Sequence, residues 1–187
     1  MIFVTVGSLH PFDRLIQTVD RWVGERRHGD IEMLAQIGSG SFQPRHCRFV
    51  SELPPSEYRS LFAKADFIVA HAGMGTIITA IELGKPTVVM PRRSEFQEHV
   101  NDHQIATVQR FQRSNLIRVA ETPDDLRARL DEMLAATESN TEARDHTLGP
   151  DAELLAYVRA FVKAEPLPAA VDRSSLQQPG EVLEYSL

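Results

Sequence analysis

The chain has one cysteine, Cys47, in 187 residues. A single thiol cannot close an internal disulfide, and it excludes a structural zinc site built on two or more cysteines. A reduced, semi-buried thiol is the expected reading. No apolar run approaches the roughly 18–20 residues that span a bilayer. Met1 leads straight into Ile2-Phe3-Val4-Thr5-Val6, without a basic stretch and a long apolar one after it, so no signal peptide is expected. Basic charge is also scarce. Lys and Arg number 20 against 26 Asp and Glu, a formal net charge of −6. Nucleic-acid binding relies on clustered Lys and Arg that displace counterions, so no nucleic-acid partner is expected.

Several motifs are missing too. There is no Gly-x-x-x-x-Gly-Lys-Ser/Thr, which argues against a P-loop ATPase. The first strand is not followed by a full Gly-x-Gly-x-x-Gly, and no acidic residue ends the second, which argues against a nicotinamide dinucleotide. His-Glu-x-x-His is absent, and so is any Asp-x-Asp pair. No metal is therefore expected. A leaving diphosphate would have to be stabilised by helix amides and arginines. No internal repeat is present.

What is there is an alternation. Ile2–Val6, 31–37, 47–50, 67–70, 87–90 and 116–119 read as strands, most of them apolar on both faces as in the middle of a parallel sheet. Helices are expected between them. Phe12, Leu15, Ile16, Val19 and Val23 form one stripe over 11–27. Pro54-Pro55-Ser56 opens a helix to Lys64, and Gly84 closes one over 75–83. Further helices are expected over 99–111 and from 123 to Ala136. This pattern predicts an α/β fold, a Rossmann-like parallel six-stranded sheet covered on both faces. Residues 1–136 form that domain. The polar stretch 137–149 reads as a linker, 150–164 as an amphipathic helix, and the Pro-, Ser- and Gln-containing 165–187 as a tail too poor in apolar residues to fold alone.

Ligands in such sheets sit at the carboxyl ends of the strands. That edge collects Gly7, Gly38, the loop His71-Ala72-Gly73-Met74-Gly75-Thr76 and the stretch Pro91–Glu98. In the loop, glycines admit an anion close to the backbone, and free amides at a helix start favour a diphosphate. Thr76 adds a hydroxyl. A tight turn without a ligand fits the Gly-x-Gly alone equally well. The stretch Pro91–Gln104 packs charge, imidazoles and an amide at a strand end. His99 and His103, spaced i,i+4 on the expected helix, could share a face. Hydrogen bonds to ribose or sugar hydroxyls suit this stretch better than a metal.

Taken together, Phe3–Ser8, Phe12–Ile16, Gln36-Ile37-Gly38, His71-Ala72-Gly73-x-Gly75-Thr76, Gly84-Lys85-Pro86 and Glu98-His99-Val100-x-Asp102-His103-Gln104 resemble glycosyltransferase family 28, specifically its C-terminal, donor-binding domain. Within it the chain is similar to small single-domain donor subunits of two-part transferases. These are the dolichol-pathway N-acetylglucosaminyltransferase type and, by Pro91-Arg92 and Glu98–Gln104, the bacterial exopolysaccharide and capsule type. The resemblance implies a single half of a GT-B glycosyltransferase. The donor, a UDP-sugar, is a co-substrate, and no cofactor is implied. The acceptor-binding half is implied to be a separate, membrane-anchored partner subunit, because this chain starts at the donor domain and lacks a membrane span. The implied location is cytoplasmic, peripheral at the inner membrane through that partner.

The resemblance also places residues. Gly7, Ser8, Gly73, Met74, Gly75 and Thr76 fall near the diphosphate. Phe49 and Val50 match the position that cradles uracil, and Gln104 matches a donor-contacting glutamine. Gly38, Arg92, Asp102 and His103 are further candidates for contact with the UDP-sugar. Many family members carry a Glu where this chain has Thr79. A Thr cannot bind two ribose hydroxyls as a carboxylate does, so Glu98 is a candidate replacement. His71, His99 and Glu98 are the candidate bases, although the base could belong to the partner. A strand-end residue satisfied by the protein is an equal reading of His71, as is plain surface charge for Arg92 and Arg93. Rival functions are a non-catalytic stabilising subunit and a sugar-nucleotide epimerase.

Overall fold

The structure, a computed structural model, describes residues 1–8, 10–26, 31–111 and 116–140. Its elements run β1 (Ile2–Thr5), α1 (Asp13–Gly24), β2 (Met33–Gln36), β3 (Arg48–Val50), α2 (Pro55–Lys64), β4 (Phe67–His71), α3 (Met74–Glu82), β5 (Thr87–Met90), a 3-10 turn (Ser94–Phe96), α4 (His103–Phe111), β6 (Ile117–Val119) and α5 (Pro123–Asn140). The strands form one six-stranded sheet in the order β3-β2-β1-β4-β5-β6. Every ladder is parallel. The expected Rossmann-like α/β architecture is therefore present.

The central strands β1, β4 and β5 are buried on both faces, apart from the last residue of β4. The edge strands β3 and β6 are short and expose Arg48 and Arg118, which blunts edge-to-edge pairing. One face carries α1 and α5. Phe12, Leu15, Ile16, Val19, Leu126 and Leu130 pack there on Ile2, Val4, Phe67 and Val69. The other face receives Phe62 of α2, whose ring meets Phe3 edge-on at 6.2 Å. Each such large side chain contributes about 1.5–3 kcal/mol on burial. Trp22 is buried between α1 and α5, and its indole donates to Asp131 at 2.8 Å. Cys47 is half-buried, and burial pushes its thiol up to about 11.

Two boundaries differ from expectation. The helix expected over 99–111 starts at His103. Gln97 takes a left-handed conformation, φ 57°, and ends the 3-10 turn. The Asp102 carboxylate then accepts from the Ser94 amide at 2.7 Å, closing residues 94–102 into a loop. His99 thus lies outside α4 and shares no helix face with His103. In addition, α5 continues to Asn140, so the first residues of the expected linker are helical. The rest of the linker, the expected helix over 150–164 and the tail 165–187 lie outside the described residues. No helix among the described residues is long and apolar enough to cross a membrane.

Strand order reverses between β1 and β4, since the chain moves outward from β1 in both directions. Thr5 pairs with Ala70 there. The β1–α1 loop with Gly7 and Ser8 therefore stands beside the β4–α3 loop with Gly73 and Gly75, at the crevice where such sheets bind ligands.

Candidate functional site

The β4–α3 loop is open. Gly73 is the N-cap of α3, in an extended conformation and without a capping side chain. The first amide bonded back along the helix is that of Ile77, to the Gly73 carbonyl at 3.1 Å. The amides of Met74, Gly75 and Thr76 precede it and receive no partner from the helix itself. A Cβ placed on Gly75 would meet nothing within 4 Å. The fold thus gives no reason for a glycine at this exposed position. Gly7 and Gly73 differ. A Cβ on Gly7 would fall 2.6 Å from the His71 ring, and one on Gly73 would overlap it. These two glycines make room for an imidazole, and Gly7 also has φ 76°. Thr76 is buried. The Thr79 hydroxyl donates to the Gly75 carbonyl at 2.9 Å, which leaves it only acceptor capacity.

The β1–α1 loop is tied from below. The Thr5 hydroxyl accepts from the Gly7 amide at 3.2 Å and donates to Gln36 Oε1 at 2.7 Å. Gln36 Nε2 in turn donates to the Gly7 carbonyl at 3.0 Å and the Ser51 carbonyl at 3.1 Å. Buried Gln36 therefore joins the ends of β1, β2 and β3. Sequence reasoning quoted Gln36 within the segment Gln36-Ile37-Gly38 but assigned it no role of its own. Gly38, φ 61°, donates its amide to Ser51 at 2.9 Å. Ser8 is exposed, Phe49 is exposed and Val50 is half-buried on edge strand β3. All of these reach the same sheet edge as the glycine loop.

The stretch after β5 is occupied by protein contacts. Arg92 is only 3% exposed, and one terminal guanidinium nitrogen donates to the carbonyls of Val6 and His10, each at 2.6 Å. Burial lowers its pKa to about 10, against the attraction of Glu98. The Arg92 amide donates to Gln104 Oε1 at 3.0 Å, and Gln104 is buried as well. Glu98 accepts from Arg14 Nε and a terminal nitrogen, both at 2.7 Å, one on each oxygen. It also accepts from the Arg93 amide at 3.0 Å. Phe12 and Phe96 lie 5.3 and 5.0 Å from the Arg14 guanidinium. The Ser94 amide holds the exposed Asp102 carboxyl below its usual range. Arg92, Glu98, Asp102 and Gln104 were expected to face a donor. Here each has a protein partner, and both Glu98 oxygens are engaged, Oε1 by one donor and Oε2 by two. His103 opens α4.

His71 ends β4 with its ring between Gly7 and Gly73. Its pKa falls to about 4, chiefly because burial disfavours the charged ring, then through the Arg92 cation, against the Thr5 backbone and with a smaller contribution from His99. At neutral pH the ring is uncharged. Such a low pKa gives it little driving force as a general base. His99 is half-buried and meets the His10 ring edge-on at 4.9 Å. His10 escaped sequence reasoning, since no spacing rule links positions 10 and 99. Among the described residues, no group of three or more His, Cys, Asp or Glu is arranged to hold a metal ion.

The profile of the glycosyltransferase family 28 C-terminal domain matches residues 1–156. Over 96 residues the chain is 30% identical to the UDP-N-acetylglucosamine--N-acetylmuramyl-(pentapeptide) pyrophosphoryl-undecaprenol N-acetylglucosamine transferase of Solibacter usitatus (strain Ellin6076), covering 48% of this chain and 26% of that protein. Over 136 residues it is 26% identical to the UDP-N-acetylglucosamine transferase subunit ALG13 of Yarrowia lipolytica (strain CLIB 122 / E 150), covering 67% of each. Among solved structures, MurG of Acinetobacter baumannii superposes with a TM-score of 0.56 at 18% identity, over 87% of this chain and 48% of that one. The glycotransferase of kitacinnamycin gives 0.54 at 21%, over 88% and 43%. These two likenesses concern the fold, that of GT-B glycosyltransferases. The chain spans about a quarter of the Solibacter relative, two thirds of the Yarrowia relative and under half of either solved structure.

Proposed function

This chain belongs to the glycosyltransferase family 28 C-terminal domain family, and on that premise we propose that its β4–α3 loop grips the diphosphate of a UDP-sugar. The observation that carries the reading is Gly75, a glycine with open space at its Cβ position, set among the first amides of α3, which have no capping side chain among the described residues. An anion docked there gains those N–H groups and the positive end of the helix dipole. Gly7 and Ser8 close the other side of the crevice. Phe49, Val50 and Gly38 border the base, and the Thr79 oxygen can accept from one ribose hydroxyl. The neutral His71 ring supplies at most one N–H donor.

The proposed reaction is inverting transfer to a lipid-linked acceptor. An acceptor hydroxyl oxygen forms a bond to the anomeric carbon as the bond to the diphosphate oxygen breaks. UDP leaves with that electron pair, and the hydroxyl proton passes to a base. The helix amides stabilise the charge that develops on the diphosphate. With Glu98 paired to Arg14 and His71 weakly basic, the base is His99 or a group of the acceptor-binding half. A membrane-anchored partner subunit supplies that half, which makes this chain a donor subunit of polysaccharide biosynthesis, held at the inner membrane through the partner. Both curated relatives are named for N-acetylglucosamine transfer, so UDP-N-acetylglucosamine is the first donor to test.

The test combines the chain, the partner and a lipid-linked acceptor, and follows UDP release from a panel of UDP-sugars. Release from one of them, abolished by Gly75→Asp, is expected. UDP release that survives Gly75→Asp would exclude this loop. UDP binding without turnover of any donor would favour the non-catalytic subunit.

A further inference from the structure

Arg92 follows β5 and Pro91, yet its guanidinium ends inside the β1–α1 loop. Its two bonds go to Val6 and His10, the carbonyls on either side of Gly7 and Ser8. Its own amide is held by Gln104 in the first turn of α4. Phe12 lies under the guanidinium at 5.1 Å. Burying a cation is unfavourable unless its hydrogen bonds compensate. Here Nε is buried without a hydrogen-bond partner among the described residues. A surface arginine in a long, flexible loop would avoid that burden. What that burial achieves in the fold is positional, since it ties β5 to the two carbonyls that flank Gly7 and Ser8.

We propose that Arg92 is a positioning residue that pins the β1–α1 loop in its ligand-ready shape, with Gln104 as the second link of the same relay from α4. A loop tied at both shoulders has little conformational freedom left to lose when an anion docks against it, so the pin raises affinity without touching the ligand. This deepens the donor-site reading and rests on it for the identity of the anion. The loop geometry stands independently.

The experiment uses the full chain and two variants. Arg92→Met removes both carbonyl bonds while keeping an unbranched stem over Phe12. Gln104→Met releases only the Arg92 amide. In the ligand-free protein, amide exchange at residues 6–8 and 10 is expected to quicken about tenfold in Arg92→Met and less in Gln104→Met, with β4 and β5 unchanged. UDP affinity is expected to fall about tenfold and about threefold, with uridine affinity unchanged and the double variant no weaker than Arg92→Met. The salt dependence of UDP binding keeps its wild-type slope, because no phosphate contact is lost.

Unchanged exchange in the loop overturns the pin. A flattened salt dependence in Arg92→Met also overturns it, because Arg92 then touches the phosphate directly. If Arg92→Met does not fold, Gln104→Met decides by the same exchange readout. If the wild-type chain binds no UDP, the donor-site reading fails while loop exchange still decides the pin.

Discussion

Two segments meet at the crevice edge, and on paper they look equally able to bind a ligand. The β4–α3 loop offers glycines and a threonine. The stretch 91–104 offers two arginines, two imidazoles, three acids and three side-chain amides. Folding separates them. The first keeps its space open, since among the described residues no side chain caps the α3 amides. The second has its most polar groups engaged. Arg92 and Gln104 turn inward, Glu98 is fixed by Arg14, and Asp102 closes its own loop. On the proposed function, chemical richness in a sequence is a poor guide to ligand contact. What counts is which donors the fold leaves without partners.

Four substitutions or conditions would break or sharpen this contrast. The largest effect is expected for Glu98→Ala, which strands Arg14 in a mostly buried site. The loss is about 3 kcal/mol in chemical denaturation, with UDP affinity changed by less than the stability. A variant of full stability that has lost UDP would put Glu98 on the ligand instead.

Acid should act on His71. Its pKa in the folded chain lies near 4, below the ordinary imidazole value, so folding favours the neutral ring. That stability is complete above about pH 6.5 and is lost as pH falls toward 4, at most about 3 kcal/mol. Denaturation curves across that window should steepen their pH dependence for the wild type relative to His71→Gln. Identical slopes would contradict the buried neutral ring.

Gly73→Ala is expected to lower stability by about 2 kcal/mol, because the added methyl overlaps the His71 ring. Thermal melts would reveal a neutral outcome, which would mean the ring moves freely. The smallest effect is expected for Thr79→Glu. A carboxylate can accept from both ribose hydroxyls where the threonine oxygen accepts from one, so UDP should bind about tenfold tighter, while deoxyribose UDP gains less. No gain in calorimetry would place the ribose away from α3.

The sheet was legible because its strands carry their burial in their composition. Ile2-Phe3-Val4 and Phe67-Ile68-Val69 read as two-faced core strands and are such. The start of α4 was not legible. Polar residues 97–102 resemble a helix start, and only the left-handed Gln97 and the Asp102–Ser94 contact reveal a loop. The glycine loop could be found from sequence because its chemistry is local, a strand end followed by small residues and a helix. The orientation of Arg92 and Glu98 could not, because their partners lie 86 and 84 residues away in the chain. Sequence spacing carries no information on such pairs. His10, and the linking role of Gln36, stayed unnoticed for the same reason.

The central claim is that the open loop binds the diphosphate, and its most direct test is a calorimetric titration of UDP into the chain and into Gly75→Asp, with melting temperatures for both. Nothing lies within 4 Å of a Cβ at Gly75, and a carboxylate in the first turn of α3 suits the helix dipole. The account predicts a melting temperature that does not fall and UDP affinity reduced by about two orders of magnitude, roughly 2.7 kcal/mol. Equal UDP affinity in the two proteins would contradict it.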